Sequence, residues 1–284
     1  MQDWAYLLIK GGIKVNKQEI SHIQKQERLG TINKNKNALG GYEMKIIEYN
    51  KATDIVVEFQ DEFKAKIRTR WSSFKEGNIK NPYHKSLCNV GYLGEGNYKV
   101  SENGKHTKVY DVWVAMIQRC YDPYYLNKYQ SYIDCYVCDE WLCFQNFAKW
   151  FYKNYYEINN EIMHLDKDIL YKGNKIYSPQ TCVFVPNNIN VLFCKRNKLR
   201  GKCVIGVYWD VERSKFVSVC SVFEKERNKA KHKFIGRYNS EVEAFMAYKQ
   251  FKENHIKQVA DEYKDLIPKE LYNAMYEYEV EIND

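Results

Sequence analysis

Apolar and polar residues largely alternate along two stretches near the start of the chain, Met44-Lys45-Ile46-Ile47-Glu48-Tyr49 and Ile55-Val56-Val57-Glu58-Phe59. A period of two is that of a half-buried strand, and the polar segment Asn50 to Asp54 between them predicts a turn. Lys64 to Trp71 continues the β signal, and Phe74-Lys75-Glu76-Gly77 and Asn81-Pro82 close the module with turn residues. The period then changes. Val112, Trp113, Met116, Ile117 and Cys120 recur at helical spacing, as do Trp141, Phe144, Phe147, Ala148 and Phe151, which predicts two helices with one apolar stripe each.

Beyond residue 160 the elements are short. Leu165-Asp166-Lys167-Asp168 reads as a strand, Gly173-Asn174 and Ser178-Pro179 as turns, and Cys182 to Val185 as a second strand. Pro186 opens a helix that carries Asn190. Three more strands, Ile205 to Asp210, Lys215 to Val219 and Phe234 to Tyr238, precede a helix announced by the capping box Ser240-x-x-Glu243. Ala244, Tyr248, Phe251, His255 and Val259 fall on one face of that helix. In the last stretch, Glu277 to Asp284, charge alternates with apolar side chains, the pattern of a terminal strand with one wet face. The expected class is α+β. It comprises an N-terminal arm (1–41), a small β module (42–84), a central ββα unit with packing helices (85–200), a three-stranded sheet plus helix (201–265) and an acidic tail (266–284).

Composition narrows the setting. No apolar run approaches the roughly 20 residues that span a bilayer, and Met1-Gln2-Asp3-Trp4-Ala5 lacks the basic-then-apolar pattern of a signal segment. A cytoplasmic protein without a membrane partner is expected. Nine cysteines, an odd number at irregular spacing, read as small buried residues in a reducing compartment. Cys135-x-x-Cys138 has zinc spacing, but a second pair is missing nearby, so structural zinc is not expected. The net charge of +8 is uneven: Lys195 to Arg237 holds thirteen basic residues against four acidic, and Asn239 to Asp284 five against eleven. A polyanion footprint accounts for such a block, since phosphate neutralisation supplies most non-specific DNA affinity. A solvated lysine-rich surface accounts for it as well.

Four blocks carry a resemblance: Tyr110-x-x-Trp113-x-x-Met116-x-x-Arg119-Cys120-Tyr121, Val137-Cys138-Asp139-Glu140-Trp141-x-x-Phe144-x-x-Phe147, Leu165-Asp166-Lys167-Asp168, and Tyr177-Ser178-Pro179-x-Thr181-Cys182. In this order, over residues 107–196, they resemble phage HNH-type endonucleases. The residues that follow resemble the DNA-binding domain of the plant APETALA/ethylene-response-factor type, through Gly206-Val207-Tyr208-Trp209, Lys215-Phe216, Ile235-Gly236-Arg237-Tyr238 and Ala244 to Tyr248. The resemblance implies a ββα-metal core and a sheet that enters the DNA major groove. A phage-encoded protein would act in the host cytoplasm.

Carried over by position, Asp166 matches the acidic metal ligand, Lys167 the general-base His, Thr181 the central Asn and Asn190 the helix ligand. Mg2+ or another divalent ion would then be the cofactor. Lysine is protonated at neutral pH, and Asp166 and Asp168 beside it reinforce this, so Lys167 is a poor base. On an extended 163–168 segment, His164, Asp166 and Asp168 point to one side, which makes His164 a substitute imidazole or, equally, a packed strand-edge residue. Duplex DNA contacts are expected from Lys195, Arg196, Lys198, Arg200, Lys202, Tyr208, Lys215 and Arg237. Outward strand positions hold Tyr208, Asp210, Val219 and Ser221 rather than arginines, so phosphate contacts should dominate over base reading. Three functions stay open: a DNA binder derived from an HNH endonuclease with an incomplete catalytic set, an active metal-dependent nicking or homing-type endonuclease, and an interaction protein that blocks a host defence enzyme through its acidic end.

Overall fold

The computed structural model describes residues 7–8, 14–15, 17–36, 41–158, 161–194, 201–224 and 229–284, and it is of mixed α+β class. Two compact units are present, one formed by residues 1–99 with 142–145 and the other by 100–141 with 146–284.

In the first unit, β1 (Leu7–Leu8) pairs with β2 (Lys14–Val15), and α1 (Lys17–Arg28) follows. A four-stranded antiparallel sheet then runs in chain order through β3 (Ile32–Lys34), β4 (Glu43–Lys51), β5 (Asp54–Phe59) and β6 (Lys66–Thr69), and α2 (Trp71–Glu76) closes it. The sheet begins at Ile32, earlier than the alternation shows, because three residues are too few to display a period. The doubled Ile46-Ile47 sits at a register shift between β4 and β5, where an extra residue restores the inward direction of the strand. Met44, Ile46, Tyr49, Ile55, Val57 and Phe59 form the core with Phe74 and Ile79. Gly77 ends α2 in the left-handed region at φ 72°, where a Cβ would meet the Lys34 carbonyl.

The second unit opens with the short pair β7 (Ser101–Glu102) and β8 (Lys105–His106), then α3 (Lys108–Tyr121), α4 (Pro123–Lys128), a 3₁₀ turn at Gln130–Tyr132 and β9 (Tyr136–Val137). The aromatic stripe from Trp141 to Phe151, expected as one helix, is two: α5 (Asp139–Leu142) and α6 (Phe144–Asn154). Cys143 leaves the helical path to bridge with Tyr92, which belongs to the first unit as it does. Next come β10 (Met163–Asp166), β11 (Ile176–Tyr177), β12 (Val183–Pro186) and α7 (Asn187–Phe193). β10 and β12 are antiparallel, and β11 lies parallel to β9.

The final elements are β13 (Val207–Asp210), β14 (Lys215–Glu224) and β15 (Lys229–Tyr238) in one antiparallel sheet, then α8 (Glu241–Tyr263) and α9 (Lys269–Tyr276). The capping box forms in both directions: Ser240 accepts from the Glu243 N–H, and the Glu243 carboxylate accepts from the Ser240 N–H. The buried stripe of α8 is Ala244, Phe245, Tyr248, Lys252, Ile256, Ala260 and Tyr263. A 23-residue helix drifts off a fixed repeat, so His255 and Val259 leave the stripe that Ala244 and Tyr248 begin.

The acidic end is not a strand. Leu271 and Met275 of α9 are fully buried, and the residues after it dock: Val280 is 3% exposed, its N–H donates to Glu253, and Lys249 donates to its carbonyl. Lys172 binds both the Glu279 carbonyl and the Asp284 carboxylate. Among the described residues no helix is long and apolar enough to cross a membrane.

Candidate functional site

β12 is buried at all four positions, since both of its faces are covered. Phe184 meets the rings of Trp150, Phe151 and Tyr155 from α6 and the segment after it. Val183 and Val185 point the other way, into a cluster with Ile189 and Leu192 of α7 and Ile256 and Ala260 of α8. β10 pairs Asp166 with Val183 and His164 with Val185, and cross-strand partners share a face. His164 and Asp166 therefore stand on the hairpin face that α7 crosses.

That placement produces a contact invisible in the sequence. His164 Nε2 lies 3.2 Å from Asn187 Oδ1. With the amide oxygen as acceptor, Nε2–H donates and the Nδ1 lone pair stays free. Burial lowers the His164 pKa, and the positive charge of Arg119 adds to this, so the ring is neutral near pH 7. Asn190 follows Asn187 by three residues and so shares its side of α7.

The Asp166 carboxylate has two roles to reconcile. Its Oδ1 accepts from the N–H groups of Asp168 at 2.9 Å and Ile169 at 2.8 Å, which ends the strand in a tight turn. Asp168 therefore lies beyond β10 and does not continue the period of two. Burial, and then the neighbouring Asp168, push the Asp166 pKa up to about 6. Lys167 is turned away and buried, 3.4 Å from Asp168 and over the Tyr177 ring.

Thr181 donates to the Ile176 carbonyl at 2.7 Å and lies 2.9 Å from the Ser178 hydroxyl. The amide brace of the loop comes from Asn174, whose Nδ2 donates to the carbonyls of Lys167 at 2.6 Å and Ile176 at 2.8 Å. Sequence reading saw only a turn there. Gly173, at φ 81°, supplies the left-handed residue that the turn requires.

The fit to a divalent ion can be weighed on these residues. One carboxylate with an oxygen outside the turn, a carboxamide and a neutral imidazole are hard or borderline donors suited to Mg2+ or Mn2+, and Mg2+ keeps several waters when protein ligands are few. A carboxyl held above its ordinary pKa by burial and a like charge is one that a cation would stabilise. The donor set fits. The nine cysteines are free thiols, Cys135 and Cys138 among them, and burial raises the pKa of both.

In the C-terminal sheet the pairings Tyr208 with Val217 and Val217 with Arg237 set one face, and Val219 with Phe234 extends it across a register shift at Ser218. The opposite face packs on α8 through Val207, Cys220, Phe245 and Tyr248. On the open face Tyr208 is 48% and Phe234 49% exposed, and the Arg237 guanidinium stacks 4.9 Å from the Phe234 ring. Arg237 also reaches Asp210 at 3.6 Å, a carboxylate that Arg213 shares at 3.3 Å. Lys215 is bonded to Asn239, and Lys202 is exposed. Lys195, Arg196, Lys198 and Arg200, with the hairpin tip 225–228, lie outside the described residues.

Sequence reasoning assigned no role to Asn187, Asn174 or Arg119. Comparison with known proteins found no match to a protein-family model, to a curated protein or to a solved structure.

Proposed function

We propose that this chain is a phage-type DNA-binding protein: it holds duplex DNA mainly by its phosphates and carries a ββα site, HNH-like in arrangement, whose cleavage set is incomplete. The observation that carries the reading is the open face of the C-terminal sheet, where Tyr208, Phe234 and Arg237 stand exposed on the side away from α8. Exposed rings beside cations suit a nucleic-acid surface, and the basic block of the sequence runs through the same domain. Asp210 engages Arg213 and Arg237, which favours phosphate contact over a free guanidinium fork reading guanine.

The hairpin supports the second half of the reading. Asp166 and Asn190 would hold a divalent ion, which would stabilise charge on a phosphate oxygen. Lys167 is buried against Asp168 and cannot serve as base. A second reading, metal-dependent nicking, is favoured by one feature: the neutral His164 with its free Nδ1 on the same face as Asp166. For the third, a host-protein blocker acting through its acidic end, no observation speaks, since Asp284 and Glu281 are engaged by Lys172.

A gel-shift titration of duplex DNA over a salt series, in chelator, tests the main reading. Each neutralised phosphate should add about 0.9 to the slope of log affinity against log salt. No affinity for duplex at low salt would end it. Plasmid nicking in Mg2+ or Mn2+, abolished by His164→Ala, would establish the second reading instead.

A further inference from the structure

The last turn of α3 places Arg119 against the hairpin face just described. Its guanidinium lies 5.9 Å from the Tyr132 ring, within hydrogen-bonding reach of the Tyr177 and Tyr125 side chains, and close enough to His164 to act on its charge. Tyr132 in turn senses Asp166 and Asp168. Among the described residues Arg119 forms no ion pair with a carboxylate, although four of the chain's carboxylate pairs engage exposed lysines or arginines with far less need of one. A guanidinium cannot shed its proton, so a half-buried one without a counterion leaves positive charge uncompensated. Three tyrosines hold it in place without neutralising it.

We propose that Arg119 is a phosphate-binding residue, which seats a non-bridging oxygen of a DNA phosphodiester beside His164 and Asp166 on the face between β10 and α7. The planar fork suits two phosphate oxygens, and tyrosines that fix it in advance lower the ordering cost of binding. The inference rests on the DNA-binding reading and deepens it: the ββα face, as well as the C-terminal sheet, touches the sugar-phosphate chain. It also gives the face a purpose that does not depend on cleavage, since an arginine can hold a phosphate whether or not a base is present.

The test uses the full chain and a short duplex in chelator. Nε–H resonances of the arginine side chains are recorded by NMR, with Arg119 assigned through Arg119→Lys. Added duplex should shift the Arg119 resonance. Arg119→Gln should weaken binding about tenfold and reduce the salt slope by about 0.9, and Arg119→Lys should keep the slope while losing part of the affinity. Should Arg119→Gln fail to fold, the wild-type resonance and the lysine variant still decide. If duplex binds wild type while the Arg119 resonance stays put and both variants bind equally well, this inference is wrong and the DNA-binding reading stands. If wild type does not bind duplex at all, both fall together.

Discussion

Asp166 shows how one side chain can be structural and chemically poised together. Its Oδ1 closes a turn by accepting two N–H groups, and the same crowding raises its pKa to about 6 from an ordinary 3.8. Between those values the folded chain binds a proton that the unfolded chain has released. Stability from this group is therefore full below about pH 4, declines as pH rises through about 6, and is a standing cost above that. Asp166→Asn keeps the Oδ1 acceptor and removes the charge, so its melting temperature should exceed wild type at pH 7 and converge with it near pH 4. Mg2+ or Mn2+ should raise the wild-type melting temperature at pH 7 and leave Asp166→Asn unmoved. An equal response of the two proteins would remove Asp166 from the ligand set. His164 works in the opposite sense. Its pKa is lowered by burial, so its contribution is present above pH 6.5 and lost as pH falls below that.

At the level of elements, the loop between β10 and β12 is shaped by amide and hydroxyl hydrogen bonds rather than by packing. Asn174 satisfies two carbonyls and Thr181 one. Asn174→Ala should cost about 1 to 3 kcal/mol and Thr181→Val about 1 kcal/mol, measured by denaturant unfolding followed through the second unit. The elements themselves were largely legible. Pro186, Ser240 with Glu243, and the alternation in β4 and β5 are local signals with local causes, and each stands where the pattern put it. What the pattern could not show were the break at Cys143, the parallel pairing of β9 with β11 and the docked end after α9, because each depends on a partner distant in the chain. Val280 illustrates the last. The sequence presents it as one residue of a charged tail, yet it is buried against Ala244, Phe245 and Tyr248. Val280→Ala should destabilise the second unit by about 1 to 3 kcal/mol, read from its thermal transition.

Taken whole, the molecule offers DNA two surfaces within its second unit, the open sheet face and the ββα face, and the predictions divide between them. Arg237→Gln should weaken duplex affinity several-fold and lower the salt slope by about 0.9, with unchanged thermal stability. Tyr208→Ala should lower affinity at every salt concentration without changing the slope, because stacking involves no counterion release. A slope change in Tyr208→Ala, or none in Arg237→Gln, would reverse these roles. By itself, the sequence determined the α+β class, the strand and helix order around residues 163–193 and 207–263, and the uneven charge, because periodicity, caps and ionisable groups act over a few residues. Only tertiary structure decided that His164 meets Asn187, that Asn174 braces the loop, that Lys167 is buried and that Arg119 faces the hairpin without a carboxylate. These facts depend on which face of a strand a helix covers and on how much water is excluded there, and both are fixed by contacts between residues far apart in the chain.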